Sequence, residues 1–236
     1  MSTSVTLERH GDVAVITLDD GKANALSPEV IAGVNASLDG LDTTDPAIRA
    51  VVLAGREGMF SGGFDLKVMR GGDLAAIGEL VTSGGELVLR LLASGRPVVL
   101  ACTGHAIAAG ALLGLGAHFR VGAEGDFRIG LIETAIGMVL PDWAVVVAEE
   151  RLSRNQLQRA LVEARVYNPL EAKDAGFLDV VVPPDQVVKV ATEEAARLGA
   201  LDPGAYAGNN AKLRGPCIAR LTAALAKDRS ALAAAS

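Results

Sequence analysis

The chain has 236 residues, half of them hydrophobic but only 3% aromatic, so its core must be built from Ala, Val, Leu and Ile. A net charge of −6 with no basic run argues against nucleic acid, and no apolar run reaches the roughly 18 residues of a membrane span. Two distant cysteines, Cys102 and Cys217, and three scattered histidines offer neither a disulfide framework nor metal-ligand spacing, and no signal-like pattern opens the chain, so a metal-free cytoplasmic protein is expected.

Val5 to His10 and Val13 to Leu18 read as two strands across a Gly11-Asp12 turn. Ser27-Pro28 is a helix start, a hydroxyl cap followed by proline at the first position. The helix to about Leu41 sets Val30, Ile31, Val34 and Leu38 on one face. Arg49 to Gly55 is a short apolar run bounded by turn signals and reads as a buried strand. It is expected to lead into a loop, Phe60-Ser61-Gly62-Gly63-Phe64, before Asp65-Leu66-Lys67 opens a helical segment. A helix from about Leu74 to Ser94 comes next, with a break at Ser83-Gly84-Gly85. Pro97 to Cys102 is a second buried strand, running into a small-residue loop from Thr103 to Gly110 and a short helix to about Gly116.

His118 to Val121 and Asp126 to Ile129 read as further short strands. This alternation predicts parallel strands joined by right-handed crossovers. Beyond Pro141 the pattern is mainly helical. Trp143 to Leu152 has Asp142 as its expected N-cap, Ser153 to Glu163 has Ser153, and Pro169 to Asp174 is closed by Gly176. Phe177 to Val182 is a last strand, Gln186 to Leu198 a helix, and the alanine-rich stretch from Asp202 is helical.

The segments after the two central strands suggest the chemistry. Gly62-Gly63 lets the backbone present bare N–H groups, and the small residues around Ala108-Ala109-Gly110 leave the first-turn N–H groups of a helix accessible. Two strand–loop–helix units that each offer one backbone donor are what an oxyanion hole requires. Glu133 is set among Leu131, Ile132 and Ala135, a setting that raises a carboxyl pKa toward neutrality and suits it to exchange protons with carbon. His105 reads as a packing or hydrogen-bonding residue. Ser61 lacks the flanking pattern of a nucleophile elbow.

Taken together, Asn24-Ala25-Leu26, the segment Phe60 to Lys67, the segment Gly104 to Gly110, and Glu133 followed by Ile136-Gly137 resemble the enoyl-CoA hydratase/isomerase (crotonase) family in order and in rough spacing. The similarity runs from the first hairpin to about Pro183. It implies an α/β, crotonase-like fold of repeated ββα units. Residues 1–183 would form the core that binds and processes an acyl-CoA. Residues 184–236 would form a helical region that closes the site and builds a trimer or a dimer of trimers. Coenzyme A would enter as part of the substrate, with no separate cofactor.

By motif position the backbone N–H groups of Phe64 and Ala109 match the family's oxyanion donors. Lys22, Ala23, Ala25, Leu26, Ser61, Gly62, Asp65 and Leu66 match the edge that holds coenzyme A, a cation for phosphate and small residues for adenine. Hydratases of the family use two glutamates. The first falls on Leu112 here, which can neither orient water nor carry a proton, and the second falls on Glu133. One carboxylate is what the family's isomerases need to shift a double bond from the 3- to the 2-position. The alternatives are a hydratase, which would need a second acid not identified in the sequence, and a non-catalytic acyl-CoA binder; some branches of the family place an acid near Asp142, which here reads as a helix N-cap.

Overall fold

The computed structural model describes residues 4–44 and 47–235. In chain order the strands are β1 (Val5–His10), β2 (Val13–Leu18), β3 (Ala50–Gly55), β4 (Gly58–Ser61), β5 (Val98–Cys102), β6 (Gly104–Ile107), β7 (Phe119–Ala123), β8 (Ile129–Gly130) and β9 (Val180–Val182). The helices are α1 (Pro28–Thr44), α2 (Leu66–Met69), α3 (Leu74–Leu92), α4 (Ala109–Leu115), α5 (Asp142–Arg151), α6 (Pro169–Ala175), α7 (Val187–Gly199) and α8 (Pro203–Ala235).

The aliphatic runs pair into a six-stranded sheet in the order β1-β2-β3-β5-β7-β9, parallel throughout except for the β1–β2 hairpin. Every residue of β3 and β5 is buried, as expected of parallel strands covered on both faces. Ile16, Val51, Leu53 and Leu100 face Val30, Val34 and Leu38 of α1 and Leu87 and Leu91 of α3. The alternate residues Val15, Val52, Val99 and Val121 face α7, whose Val187, Ala191 and Ala195 recur every four positions along one stripe. Burying each Val, Leu or Ile in this way stabilises the fold by about 1.5–3 kcal/mol.

Two of the three strands of a second sheet, β4 and β6, are not legible in the sequence, and the strand expected at Asp126 to Ile129 is in fact Ile129–Gly130. β4, β6 and β8 pair in parallel in that order, so the segments expected to be pure loops begin as strands and become loops only at Gly62 and Ala108. After the β1–β2 hairpin and α1, each of the next three repeats gives one strand to the large sheet, the next to the small sheet, and then a helical segment. Where the chain crosses between sheets there is no room for side chains: a β-carbon on Gly55 would strike the backbone of Met59 and Phe60, and one on Gly104 the backbone of Gly58.

Other expectations are corrected. α3 runs unbroken through Ser83-Gly84-Gly85. Ser153 is followed by a 3-10 turn, Arg154–Gln156, and a π-helical turn, Gln158–Val162, instead of one helix, because its hydroxyl donates to Asp174 O (3.1 Å) and leaves the turn uncapped. Phe177 to Asp179 are not strand. Asp179 instead takes the buried Arg120 guanidinium through two hydrogen bonds (2.9 and 2.8 Å), and Arg120 also reaches Gly176 O. Asp142 is the first residue of α5 and not its cap. The α5 N–H groups of Asp142 and Trp143 donate instead to the Asp228 carboxylate of α8 (3.2 and 3.1 Å), while Asp142 pairs with Lys227.

The last helix, α8, lies against α3 and α5, and its Cys217, Leu221, Ala224 and Leu225 join the same core as the sheet residues. Its first turns are pinned by Tyr206, whose hydroxyl lies 2.7 Å from His118 Nδ1, while His118 Nε2 faces Leu92 O at 3.3 Å. That arrangement fits a neutral imidazole, and burial pushes the His118 pKa down to about 4.

Candidate active site

The small sheet is what assembles the site. Its three parallel strands all end at the same edge: β4 delivers Gly62-Gly63-Phe64, β6 delivers Ala108-Ala109, and β8 delivers Leu131-Ile132-Glu133. Neighbouring strands stand about 4.8 Å apart, so the three segments lie within about 10 Å of one another. The carboxyl edge of parallel strands is where α/β sheets usually bind ligands.

Gly63 has φ +99°, and a β-carbon there would stand 3.1 Å from Ile107 O, 3.2 Å from Ala108 Cβ and 3.4 Å from Ala109 N. The residue before Phe64 therefore rests on the residue that opens α4. Among the described residues, neither the Phe64 N–H nor the Ala109 N–H has a hydrogen-bond acceptor. Ala108 adopts φ 53°, ψ −125°, a conformation strained by roughly 1–3 kcal/mol for a residue with a β-carbon. It is held there by its N–H on Gly130 O (2.9 Å) and by its carbonyl, which accepts from Leu112 N (3.1 Å).

The segment from Lys22 to Leu26 is laced beneath the Gly62-Gly63 loop. Gly62 N donates to Ala23 O (2.8 Å), Leu26 N to Gly63 O (2.8 Å) and Asp65 N to Leu26 O (3.2 Å). Ser61 is fully buried, and its hydroxyl donates to Asn24 O (2.7 Å) and accepts from Gly63 N (3.2 Å), so it shapes the loop from within. Leu26 is buried as well. Lys22, Ala23, Gly62 and Leu66 are exposed, and Ala25 and Asp65 half-buried. The Asp65 carboxylate caps α2 by accepting from Lys67 N (2.8 Å), and the Lys22 carbonyl is held by the Arg56 guanidinium.

Asn24 is the organising residue that the motif alone does not single out. It is buried at φ 47°, and its amide nitrogen lies 2.7 Å from Leu18 O, 3.1 Å from Met59 O and 3.2 Å from Phe60 O. A buried asparagine tolerates this backbone and joins the end of β2 to β4.

Glu133 is 8% exposed and precedes a 3-10 turn, Thr134–Ile136, closed by Gly137 at φ 76°. Its Oε2 is buried with no hydrogen-bond partner. Burial raises the carboxyl pKa, against a weaker opposing pull from the backbone amides of Glu133 and Ile132. A desolvated carboxyl group with one oxygen left unpartnered is poised to exchange a proton with something that enters the site. Leu112 lies wholly in the core and supplies no second acid. Asp142 is engaged with Lys227. His105 accepts from Arg128 N (3.0 Å) and packs edge-on to Phe127, a structural role. The helices and turns that follow the donor loops and Glu133 expose the apolar side chains of Leu66, Leu74, Ile136, Met138 and Val139.

A family model described as enoyl-CoA hydratase/isomerase matches residues 8–234. The chain is 36% identical over 185 residues to the mitochondrial enoyl-CoA delta isomerase 1 of Mus musculus, covering 78% of this chain but 64% of the mouse protein's length. It is also 36% identical over 198 residues to a putative enoyl-CoA hydratase of Thermus thermophilus, covering 79% of this chain and 76% of that protein. Among solved structures, an enoyl-CoA isomerase of Mycobacterium tuberculosis matches with a TM-score of 0.92 at 36% identity, covering 98% of this chain and 99% of that one.

Proposed function

Because this chain belongs to the enoyl-CoA hydratase/isomerase family and has its crotonase fold, we propose that it moves the double bond of an enoyl-CoA from the 3- to the 2-position. The observation that carries the reading is one buried carboxyl group, Glu133, whose Oε2 has no partner, at the sheet edge that also presents two unpaired N–H groups. The isomerase name of the mouse relative supports it, while the mycobacterial protein is named an isomerase in one structure and a probable enoyl-CoA hydratase in another and favours neither.

In this mechanism the thioester oxygen accepts hydrogen bonds from Phe64 N–H and Ala109 N–H. Glu133 takes a proton from carbon 2, and the C–H electron pair delocalises through the carbonyl as a dienolate. The two donors stabilise the negative oxygen as it forms, each contributing about 3–4 kcal/mol to the transition state. The Glu133 carboxyl then returns the proton to carbon 4, which places the double bond between carbons 2 and 3. Nothing is oxidised and no water is consumed, so the reaction calls on no cofactor beyond the coenzyme A of the substrate. Lys22, exposed beside the Asn24 turn, is the cation for a coenzyme A phosphate in this reading, with Ala23, Ala25, Gly62, Asp65 and Leu66 as the accompanying edge.

Hydration is the second reading, favoured by the name of the Thermus relative. The deciding assay presents pure protein with a 3-enoyl-CoA and a 2-enoyl-CoA. Conversion of the first without hydration of the second supports the one-carboxylate mechanism. Hydration at an enzymatic rate overturns it and requires a second acid. Tight binding with neither reaction makes the chain an acyl-CoA binder.

A further inference from the structure

The glycine pair that resembles a helix break has another purpose. Gly84 and Gly85 are buried in the unbroken middle of α3. A β-carbon on Gly84 would stand 2.5 Å from Cε1 and 2.6 Å from Cζ of the Phe64 ring. One on Gly85 would stand 2.8 Å from the Trp143 indole and 2.6 Å from Leu225 Cδ2. Carbon atoms settle at about 3.5–4.0 Å, so both positions are slots that only glycine leaves open. Glycine weakens a helix interior, and two in succession weaken it further; here the rings that fill the slots compensate.

The Phe64 slot bears on the chemistry. Around Phe64 the backbone hydrogen bonds run to the Leu26 side, where Leu26 N donates to Gly63 O and Asp65 N to Leu26 O. The Phe64 ring, packed against α3, is the tie on the other side. Building on the proposed function, we propose that Gly84 is a positioning residue: its slot seats the Phe64 ring, and the seated ring sets the direction of the Phe64 N–H toward the substrate carbonyl. A methyl group at position 84 displaces the ring by about 1 Å to restore normal contact. A shift of that size at a reacting centre lowers the rate by up to about 100-fold.

The test compares Gly84→Ala, Phe64→Leu and the double variant. Three quantities are read: kcat and KM on a 3-enoyl-CoA, thermal unfolding, and the carbonyl stretching frequency of a bound saturated acyl-CoA. That frequency falls as the carbonyl accepts stronger hydrogen bonds and does not depend on turnover. Gly84→Ala is expected to lower kcat by roughly 10–100-fold with little change in KM, and to weaken the frequency shift. In the Phe64→Leu background the same substitution is expected to change neither quantity further, since the slot acts only through the ring.

Equal losses in both backgrounds, or a Gly84→Ala protein with an unaltered kcat and frequency, would overturn the proposal. Should Gly84→Ala fail to fold, the double variant is expected to fold and to match Phe64→Leu; a double variant that also fails to fold overturns it. A wild-type protein that shifts the carbonyl without isomerising the substrate defeats the proposed function and leaves this inference standing on the frequency alone.

Discussion

Replacing Glu133 by glutamine is expected to move activity and stability in opposite directions. The substitution keeps the shape of the side chain but removes its charge and its ability to take a proton. A positioned general base contributes about 10²–10⁴-fold to the rate, and kcat on a 3-enoyl-CoA is expected to fall by that factor. The stability effect comes from the buried, unpartnered Oε2. An unsatisfied buried polar group costs about 1–3 kcal/mol and a charged one more, so the neutral amide recovers about 1 kcal/mol. In a chain of this length that raises Tm by about 2–4 °C.

The sign depends on pH. Folding raises the Glu133 pKa above its ordinary value of 4.5, so the folded state holds this proton more tightly than the unfolded state. Below that value the two proteins should be equally stable. As pH rises through the folded pKa the wild type loses stability that the glutamine protein never had to lose, and the gap opens. The wild-type rate should rise with pH over the same interval as the base form appears. The assay tracks the ultraviolet absorbance of the conjugated thioester, alongside thermal unfolding at acid and neutral pH. A glutamine protein with wild-type kcat, or one less stable at neutral pH, would refute the reasoning.

Gly63→Ala places a methyl group at φ +99° against Ile107 O and Ala108 Cβ. It should destabilise by about 1–3 kcal/mol and, by displacing the Phe64 donor, lower kcat by about 10²–10³-fold, both measurable on the purified variant. Asp228→Ala removes the carboxylate that caps α5 from α8, and urea denaturation is expected to show a loss of about 1–2 kcal/mol. His118, with its pKa lowered from 6.5 to about 4, should make the wild type lose on the order of 2–3 kcal/mol as pH falls through that interval, because only the unfolded state takes up the proton. His118→Gln should flatten that part of the stability profile, and an unchanged slope would count against a neutral clasp to Tyr206. Asp179→Asn leaves the Arg120 guanidinium buried beside a neutral partner, and a loss of about 3–5 kcal/mol is expected in the same denaturation experiment.

The features legible in the sequence are those whose causes lie within a few residues. The aliphatic runs of β2, β3 and β5 are apolar enough to demand burial wherever they pair, and Ser27-Pro28 and Gly176 mark helix ends through their own backbone chemistry. Glu133 and the two donor loops stand out through ordered motifs, and its raised pKa is readable because its immediate neighbours are apolar. The features hidden from the sequence depend on partners far along the chain. Gly58–Ser61 and Gly104–Ile107 lack a strand's alternation and are strands only because they form a ladder with each other and with Ile129–Gly130. Gly84 and Gly85 resemble a break because the rings that occupy their slots are Phe64, upstream, and Trp143, downstream. Asp142 resembles a cap because the true cap, Asp228, is 86 residues away. Local composition thus determined which segments must be buried, and ordered motifs marked which groups are candidates for the chemistry. Only the tertiary fold, by bringing distant groups within contact distance, decided where those groups meet.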